Sequence, residues 1–558
     1  MKRNRIEPSF LALLTAIAAL LFLNYRLVLY AQYETDEFLH SAWGGDLHVG
    51  IPAYAPEMPG KTRLSLVLFS LPFKMTNRMA DILLINRHAV FFVVIASLYV
   101  LFLLHGNVFG SRRGALWAVF WTLACTTFIE RGFRVRSDMV ATAFALVGVH
   151  QFLVGRPSVR AWAAGAWMSL AFCTTQKSAY FILSFIVAFW VAYRLAGENA
   201  LREFSRFALG GLAVFAGYVL AFGRGGNYAT VLKTTFFSDL VMDTALGRNY
   251  GALAPYYWQT FARNIAFYCL AFAGLGYILR GWRSNPWPQN FLAVFTAVLL
   301  GCMTIHREPW PYVFVMVIPF LGCFAGWISE AVLQALRTTD RMVAVPALVL
   351  LFTVGVESIV RHVAHFQITC FPQLETVATA EAVLEEKDTY FDGIRMIGTR
   401  RWASPEILYR AFLDKLIAAW DTDGRALLQR LRDAQCKVII YNFRIAALPP
   451  GFQQFLGDHY VLLDRNVFVS GCEANASPRD VDLVWAGEYE AIAGETVTRV
   501  RIDDQDVLPG RRTVHLSSGK HRVVLEGEGS VLLVPRVAAQ WMREHPVLRD
   551  VYPLFGPP

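Results

Sequence analysis

FLALLTAIAALLFLNYRLVLYAQYETDEFLHSAW, residues 10–43, joins two unlike stretches. The first, Phe10 to Ala31, is apolar over a length that crosses a hydrocarbon core of about 30 Å. The second, Tyr33 to Trp43, sets Glu34, Asp36 and Glu37 where that helix leaves the lipid. Two readings of the acidic run stand open. It is a solvated helix end, or it faces something that needs a base or a cation partner.

Working outward, the rest of the chain repeats the apolar half. Of 558 residues, 55% are hydrophobic and 17% charged, against about a quarter charged in an average soluble domain. Segments of spanning length recur at 9–31, 87–105, 114–129, 138–154, 161–175, 178–193, 205–222, 264–280, 289–305, 311–329 and 343–360. That predicts a polytopic α-helical membrane protein of about 11 transmembrane helices. The first span is too long for a cleaved signal, and no small-residue cleavage site follows it.

Orientation follows from the short connections. With the N-terminus cytoplasmic, the inner set holds Lys2, Arg3 and Arg5, then Arg112 and Arg113, Arg156 and Arg160, and Arg194, Arg202 and Arg206. It continues with Arg280 and Arg283, then Arg337 and Arg341. Every inner loop is basic, as the positive-inside rule requires. The formal net charge of +9 therefore needs no nucleic acid to explain it. An odd number of spans leaves everything after residue 361 outside, with the acidic stretch.

Three regions are expected: a membrane part over 1–360, with a long first outer loop at 32–86; an α/β region over 361–475; and a β-rich module over 476–558. CKVIIYNF reads as a buried strand after the helical ALLQRLRDAQ, and DLVWAG, TVTRVRID, RTVHLSSG, KHRVVLEG and SVLLVPR as short strands of a small sandwich. Cys436 and Cys472 would lie outside, where they pair or stay free.

The outer loops gather charge against the trend. The first holds Asp36, Glu37, His40, Asp46, His48, Glu57, Lys61 and Arg63; ERGFRVRSDMVAT adds Arg131, Arg134, Arg136 and Asp138; HREPWPY adds His306 and Arg307. Any one basic residue at a membrane surface snorkels to headgroups. Several beside carboxylates suit another task, gripping a lipid phosphate while an acid accepts a proton. His40 and His48 are eight residues apart, which is not the i, i+4 spacing of a helical metal pair.

In order, these features resemble the GT-C integral-membrane glycosyltransferases, nearest the branch of protein O-mannosyltransferases and lipid A aminoarabinose transferases. The resemblance is carried by the DE pair after the first span, YAPEMPGK, RSDM opening a later span, MSLAFCTTQKSAYF and HREPWPYVFVMVIPFLG, over about residues 10–330. The family's usual Lys-Pro-Pro is Lys61-Thr62-Arg63 here.

The resemblance implies a transferase that takes a sugar from a polyprenyl-phosphate carrier and places it, with inversion, on a periplasmic lipid, glycan or protein. By family position Asp36 is the base, with Asp138 the second carboxylate and Glu37 binding acceptor or orienting the loop. Lys61, Arg136 and Arg307, then Arg134 and His306, are the donor-phosphate contacts, and Tyr54 and Glu57 line the sugar or acceptor site. No nucleotide cofactor is implied. A divalent metal shared by carboxylate and phosphate is possible chemistry, without an evident ligand set. Two alternatives stay open: whole-glycan transfer from a pyrophosphate carrier, and a transporter or flippase for lipid-linked sugars.

Overall fold

A computed structural model of the chain describes residues 8–51, 62–193, 199–223, 227–233, 260–306, 311–338, 368–403, 410–475, 477–494, 496–507, 513–546, 551 and 553–555, with scattered positions between 353 and 364. It divides into two bodies. One comprises Met1–Ala31, Gly50–Phe69 and Leu84–Ile368, the other Gln32–Val49, Ser70–Leu83 and Thr369–Pro558.

The first body is helical. Its elements in chain order are α1 (Pro8–Tyr30), then, after α2 (Thr35–His48) of the second body, α3 (Leu64–Ser70), α4 (Met79–Phe109), α5 (Arg112–Ala124), α6 (Thr126–Arg131) and α7 (Ser137–Val154). There follow α8 (Arg160–Thr174), α9 (Ala179–Ala188), α10 (Ala200–Phe222), α11 (Ile265–Arg280), α12 (Trp287–Thr304) and α13 (Ile318–Thr338). Seven described helical stretches are long and apolar enough to cross a bilayer, and this is a multi-pass membrane protein. The expected span at 343–360 lies largely outside the described residues.

Two expected spans are broken. Residues 114–129 do not form one helix: α5 stops at Ala124 and the backbone is extended at Cys125. The freed N–H of Thr126 donates to the Asn264 side chain at 2.6 Å, which makes the break tolerable in a place without water. The last long helix begins at Ile318, later than expected, after a 3₁₀ segment over Pro311–Met316. Pro319 lacks the N–H a helix interior needs, and suits a first turn.

Helices in lipid associate through close backbone approach rather than hydrophobic drive. Gly322 and Gly326 of α13 provide it, since a Cβ on Gly326 would stand 2.5 Å from the Ala118 nitrogen and the Gly114 oxygen of α5. Trp121 Nε1 donates to Ser329 Oγ at 2.8 Å across the same pair. Arg87, fully buried in α4, donates to the Ala31 and Val28 carbonyls at 2.6 and 3.2 Å, satisfying the end of α1.

The second body joins a mixed sheet to a sandwich. The sheet has the order β2-β1-β3-β5-β4, from β1 (Thr389–Phe391), β2 (Arg401–Trp402), β3 (Cys436–Ile440), β4 (Tyr460–Asp464) and β5 (Val467–Ser470). β1 is parallel to β2 and β3, while β5 runs antiparallel to β3 and β4. Every residue of β3 is buried, as expected of CKVII with both faces covered. Val377, Ala380 and Ala538 pack in the cluster of Val438 and Ile440, and Leu427, Leu431 and Phe452 in that of Cys436 and Ile439.

The sandwich pairs two four-stranded antiparallel sheets. One is β10-β9-β12-β7, from β7 (Arg479–Leu483), β9 (Val497–Ile502), β10 (Gln505–Val507) and β12 (Gly519–Gly527). The other is β11-β8-β13-β6, from β6 (Cys472–Ala474), β8 (Gly487–Ala493), β11 (Thr513–Leu516) and β13 (Val531–Pro535). Val500, Ile502 and Val523 meet Tyr489, Ala491 and Leu533 in its core. DLVWAG is not a strand of its own. The strand ends at Leu483, and Val484, Trp485 and Ala486 turn away from it. Cys436 and Cys472 are separate buried thiols.

Candidate active site

The acidic stretch of the opening sequence folds as α2 and belongs to the second body. Glu34 is its N-cap, and a capping box closes the first turn: the Glu37 carboxylate accepts the Glu34 N–H at 3.0 Å, and the Glu34 side chain accepts from the Glu37 backbone. Glu37 is fully buried in that role, whereas Asp36, one residue earlier, is half-buried. Successive helical residues point about 100° apart, which separates the two carboxylates.

Residues far along the chain hold α2. The Tyr33 N–H donates to Gln373 Oε1 at 2.7 Å, and Gln373 Nε2 donates back to the Tyr33 carbonyl at 2.9 Å. Ala42 and Gly398 are in such close approach that a Cβ on Gly398 would stand 2.6 Å from the Ala42 Cα. At the other end Asp46 takes both arms of the Arg395 guanidinium, with both residues buried. Arg395→Met would strand that carboxylate without its partner, at about 3–5 kcal/mol. The variant is expected to melt well below wild type in detergent, and adding Asp46→Leu is expected to restore part of the loss.

The loop carrying Arg395 is organised by Asp392, whose carboxylate accepts the N–H groups of Ile394 and Arg395 at 3.1 and 2.7 Å and that of Met396. Burial pushes the Asp392 carboxyl up to about 6, against the opposing pull of those N–H donors. A raised folded value means the folded chain keeps a proton that the unfolded chain releases near 3.8. Stability from this group is then greatest below that value, falls as pH rises to about 6, and is level beyond, a change of about 3 kcal/mol. Thermal unfolding between pH 4 and 7 is expected to show this decline in wild type and lose it in Asp392→Asn, whatever that variant's baseline.

In the first body a second group of charges forms where α7 begins. Arg136 occupies the N-cap position in an extended conformation, and Asp138 lies in the first turn, where a helix favours negative charge. Asp138 Oδ2 is 3.3 Å from Arg136 Nε, and its Oδ1 accepts from Lys177 Nζ at 2.8 Å. Lys177 comes from the 3₁₀ turn Gln176–Ser178 between α8 and α9. The Tyr312 ring, from Pro311–Met316, lies under both cations, 3.5 Å from the Arg136 guanidinium carbon and 4.5 Å from Lys177 Nζ. Such stacking is favourable where the cation is desolvated. Asp138 and Arg136 are both buried.

Two cations thus share one carboxylate, and the trio carries a net positive charge. A planar guanidinium and a point-like ammonium are both groups that can bind phosphate oxygens. His306 lies 2.9 Å through Nδ1 from the Tyr180 hydroxyl, while Arg134 Nε donates to the Glu130 carbonyl at 3.1 Å. Tyr54, Glu57, Lys61 and Arg307 lie outside the described residues. Among the described residues no three His, Cys, Asp or Glu side chains are placed to hold a metal ion.

Lys177 and Tyr312 are additions to the residues singled out from sequence. The signal for Lys177 was present: it falls between the spans 161–175 and 178–193, the same side as Asp138 in the predicted orientation. It is a basic residue against the positive-inside trend, like Arg134 and Arg136.

No known sequence family matches the chain, and no curated protein does. Solved structures do share its fold. ArnT from Cupriavidus metallidurans in the apo state aligns with a TM-score of 0.55 at 12% identity, over 83% of this chain and 98% of that one. The same ArnT bound to undecaprenyl phosphate gives 0.53 at 13%, over 82% and 97%. The oligosaccharyltransferase AglB from Archaeoglobus fulgidus, in complex with an inhibitory peptide and a dolichol-phosphate, gives 0.51 at 11%, over 80% and 72%. The chain shares the fold of these two membrane proteins.

Proposed function

We propose that the protein is a glycosyltransferase that moves a sugar from a polyprenyl-phosphate carrier to an acceptor on the periplasmic side of the bacterial inner membrane. One observation carries the reading above others: within a GT-C fold, Arg136 and Lys177 converge on Asp138 over the Tyr312 ring. The acceptor is a lipid, glycan or protein hydroxyl.

The chemistry divides between two kinds of group. As the anomeric carbon–oxygen bond to the carrier breaks, both its electrons stay with the phosphate, which leaves as a stabilised anion. That anion needs cations rather than a strong acid. Arg136 and Lys177 supply them, with Lys61, Arg307, Arg134 and His306 as further contacts, and Asp138 holds the first two in place. The acceptor oxygen attacks from the opposite face and gives its proton to Asp36, which helps by about 10²–10⁴-fold as the new bond forms. Inversion follows from the single displacement. Glu37 caps and orients the helix that bears the base, and Tyr54 and Glu57 line the sugar or acceptor site.

A second reading is transfer of a whole glycan from a pyrophosphate carrier; the likeness to AglB, an oligosaccharyltransferase, supports its whole-glycan part. Lipid retention in nanodiscs tests the phosphate receptor. Undecaprenyl phosphate is expected to be held in preference to undecaprenol, and Arg136→Met with Lys177→Met to remove most of that preference. Equal retention of the two lipids by wild type would contradict the assignment.

A further inference from the structure

A cleft of about 840 Å³ lies in the second body, where the mixed sheet meets the sandwich. None of its lining residues is assigned above to transfer. Its wall contains Trp485, which the turn after β7 brings out of the strand. The indole is held in place. Lys437 Nζ sits 4.5 Å from its ring centroid, and a Cβ on Gly487 would come within 2.0 Å of a ring carbon. The Tyr489 hydroxyl donates to the Trp485 carbonyl at 2.8 Å. Lys437 is itself buried and paired with Asp388 at 2.6 Å, so a charge pair backs the aromatic wall.

The lining as a whole is mostly polar and balanced in charge: four carboxylates and four cations, with Ala434, Ala486, Pro535 and Val537 between them and His515 and Gln540 at exposed positions. A polyanion would find no net positive field there, and a lipid chain would lie against eight charged side chains. A molecule with C–H faces for an indole and hydroxyls that both donate and accept suits each part. The volume is in the range of pockets that bury a small ligand.

We propose that this cleft binds a neutral oligosaccharide, through stacking on Trp485 and hydrogen bonds to the charged and polar groups around it. The site is independent of the transfer chemistry. The test uses the full-length protein in nanodiscs, without donor lipid, and saturation-transfer NMR with maltotriose, cellotriose and chitotriose, beside a heparin tetrasaccharide. At least one neutral trisaccharide is expected to bind more tightly than heparin. Trp485→Ala should weaken it by about tenfold. His515→Ala, at an exposed strand position, should weaken it severalfold without unsettling the core. Asp36→Asn should bind as wild type does. Failure of all three probes, tighter binding of heparin, or full binding by both cleft variants would overturn the proposal. Because no donor is present, any of those results leaves the transferase reading standing.

Discussion

Asp36→Asn is expected to lower sugar transfer by about 10²–10⁴-fold, the usual contribution of a positioned general base. The substitution keeps shape and hydrogen-bonding capacity while removing the ability to accept a proton at neutral pH. The fold should tolerate it. α2 is capped by Glu34 and Glu37, not by Asp36, and is anchored by Tyr33 to Gln373 and by Asp46 to Arg395. Asp36 is half-buried rather than sealed in a core. Turnover should therefore collapse while the cap and the anchors of α2 stay in place. Glu37→Gln is the useful contrast. Weakening the buried cap costs about 0.5–2 kcal/mol, so it should lower melting more than Asp36→Asn does, and lower turnover less. Activity is measured as release of undecaprenyl phosphate from its sugar-linked form. If Asp36→Asn turned over like wild type, the base would lie elsewhere.

Asp138→Asn has the second large effect, of a different kind. Removing this carboxylate leaves two neighbouring cations without it, one of them, Arg136, only 8% exposed in its side chain. Breaking a buried pair from one side costs about 3–5 kcal/mol, since the remaining charge stays desolvated. With two cations affected, the variant is expected to melt substantially lower and to lose transfer. Lys177→Met separates the two effects. The Arg136–Asp138 pair survives it, so melting should change less, while half of the proposed phosphate receptor disappears and turnover falls. In Asp138→Asn/Lys177→Met the loss of one of the two neighbouring cations should restore part of the stability but none of the activity. Recovery of activity in the double variant would contradict a receptor role for Lys177.

Much of the membrane body could be read from sequence, because apolar runs long enough to cross lipid are a signal that each segment carries by itself. The break at Cys125 could not. It depends on the Asn264 side chain, 138 residues beyond Thr126, whose N–H it receives. The packing of α2 was hidden for the same reason. Its partners Gln373 and Arg395 lie 340 and 349 residues further on. In the β-rich end, alternation marked most strands, but DLVWAG contains a turn that no periodicity over six residues can separate from a strand.

The candidate site divides along the same line. Arg136 and Asp138 stand two residues apart in RSDM, and their pairing is local. Lys177 joins them from another helix connection, so only the side of the membrane, not its contact with Asp138, was open to sequence reasoning. The acidic pair after the first span was visible, but the unequal fates of its members were not. That Glu37 turns back into the capping box while Asp36 does not follows from α2 starting at Thr35, which the residues alone left open.

The most direct test of the central claim is mass spectrometry of polyprenyl lipids from a host lacking the gene, complemented with wild type or with Asp36→Asn. A polyprenyl monophosphate carrying a sugar is expected to accumulate, to be cleared by wild type, and to persist with the variant. Accumulation of a pyrophosphate-linked glycan instead, or clearance by both proteins alike, would contradict a carboxylate-assisted transfer from a monophosphate carrier.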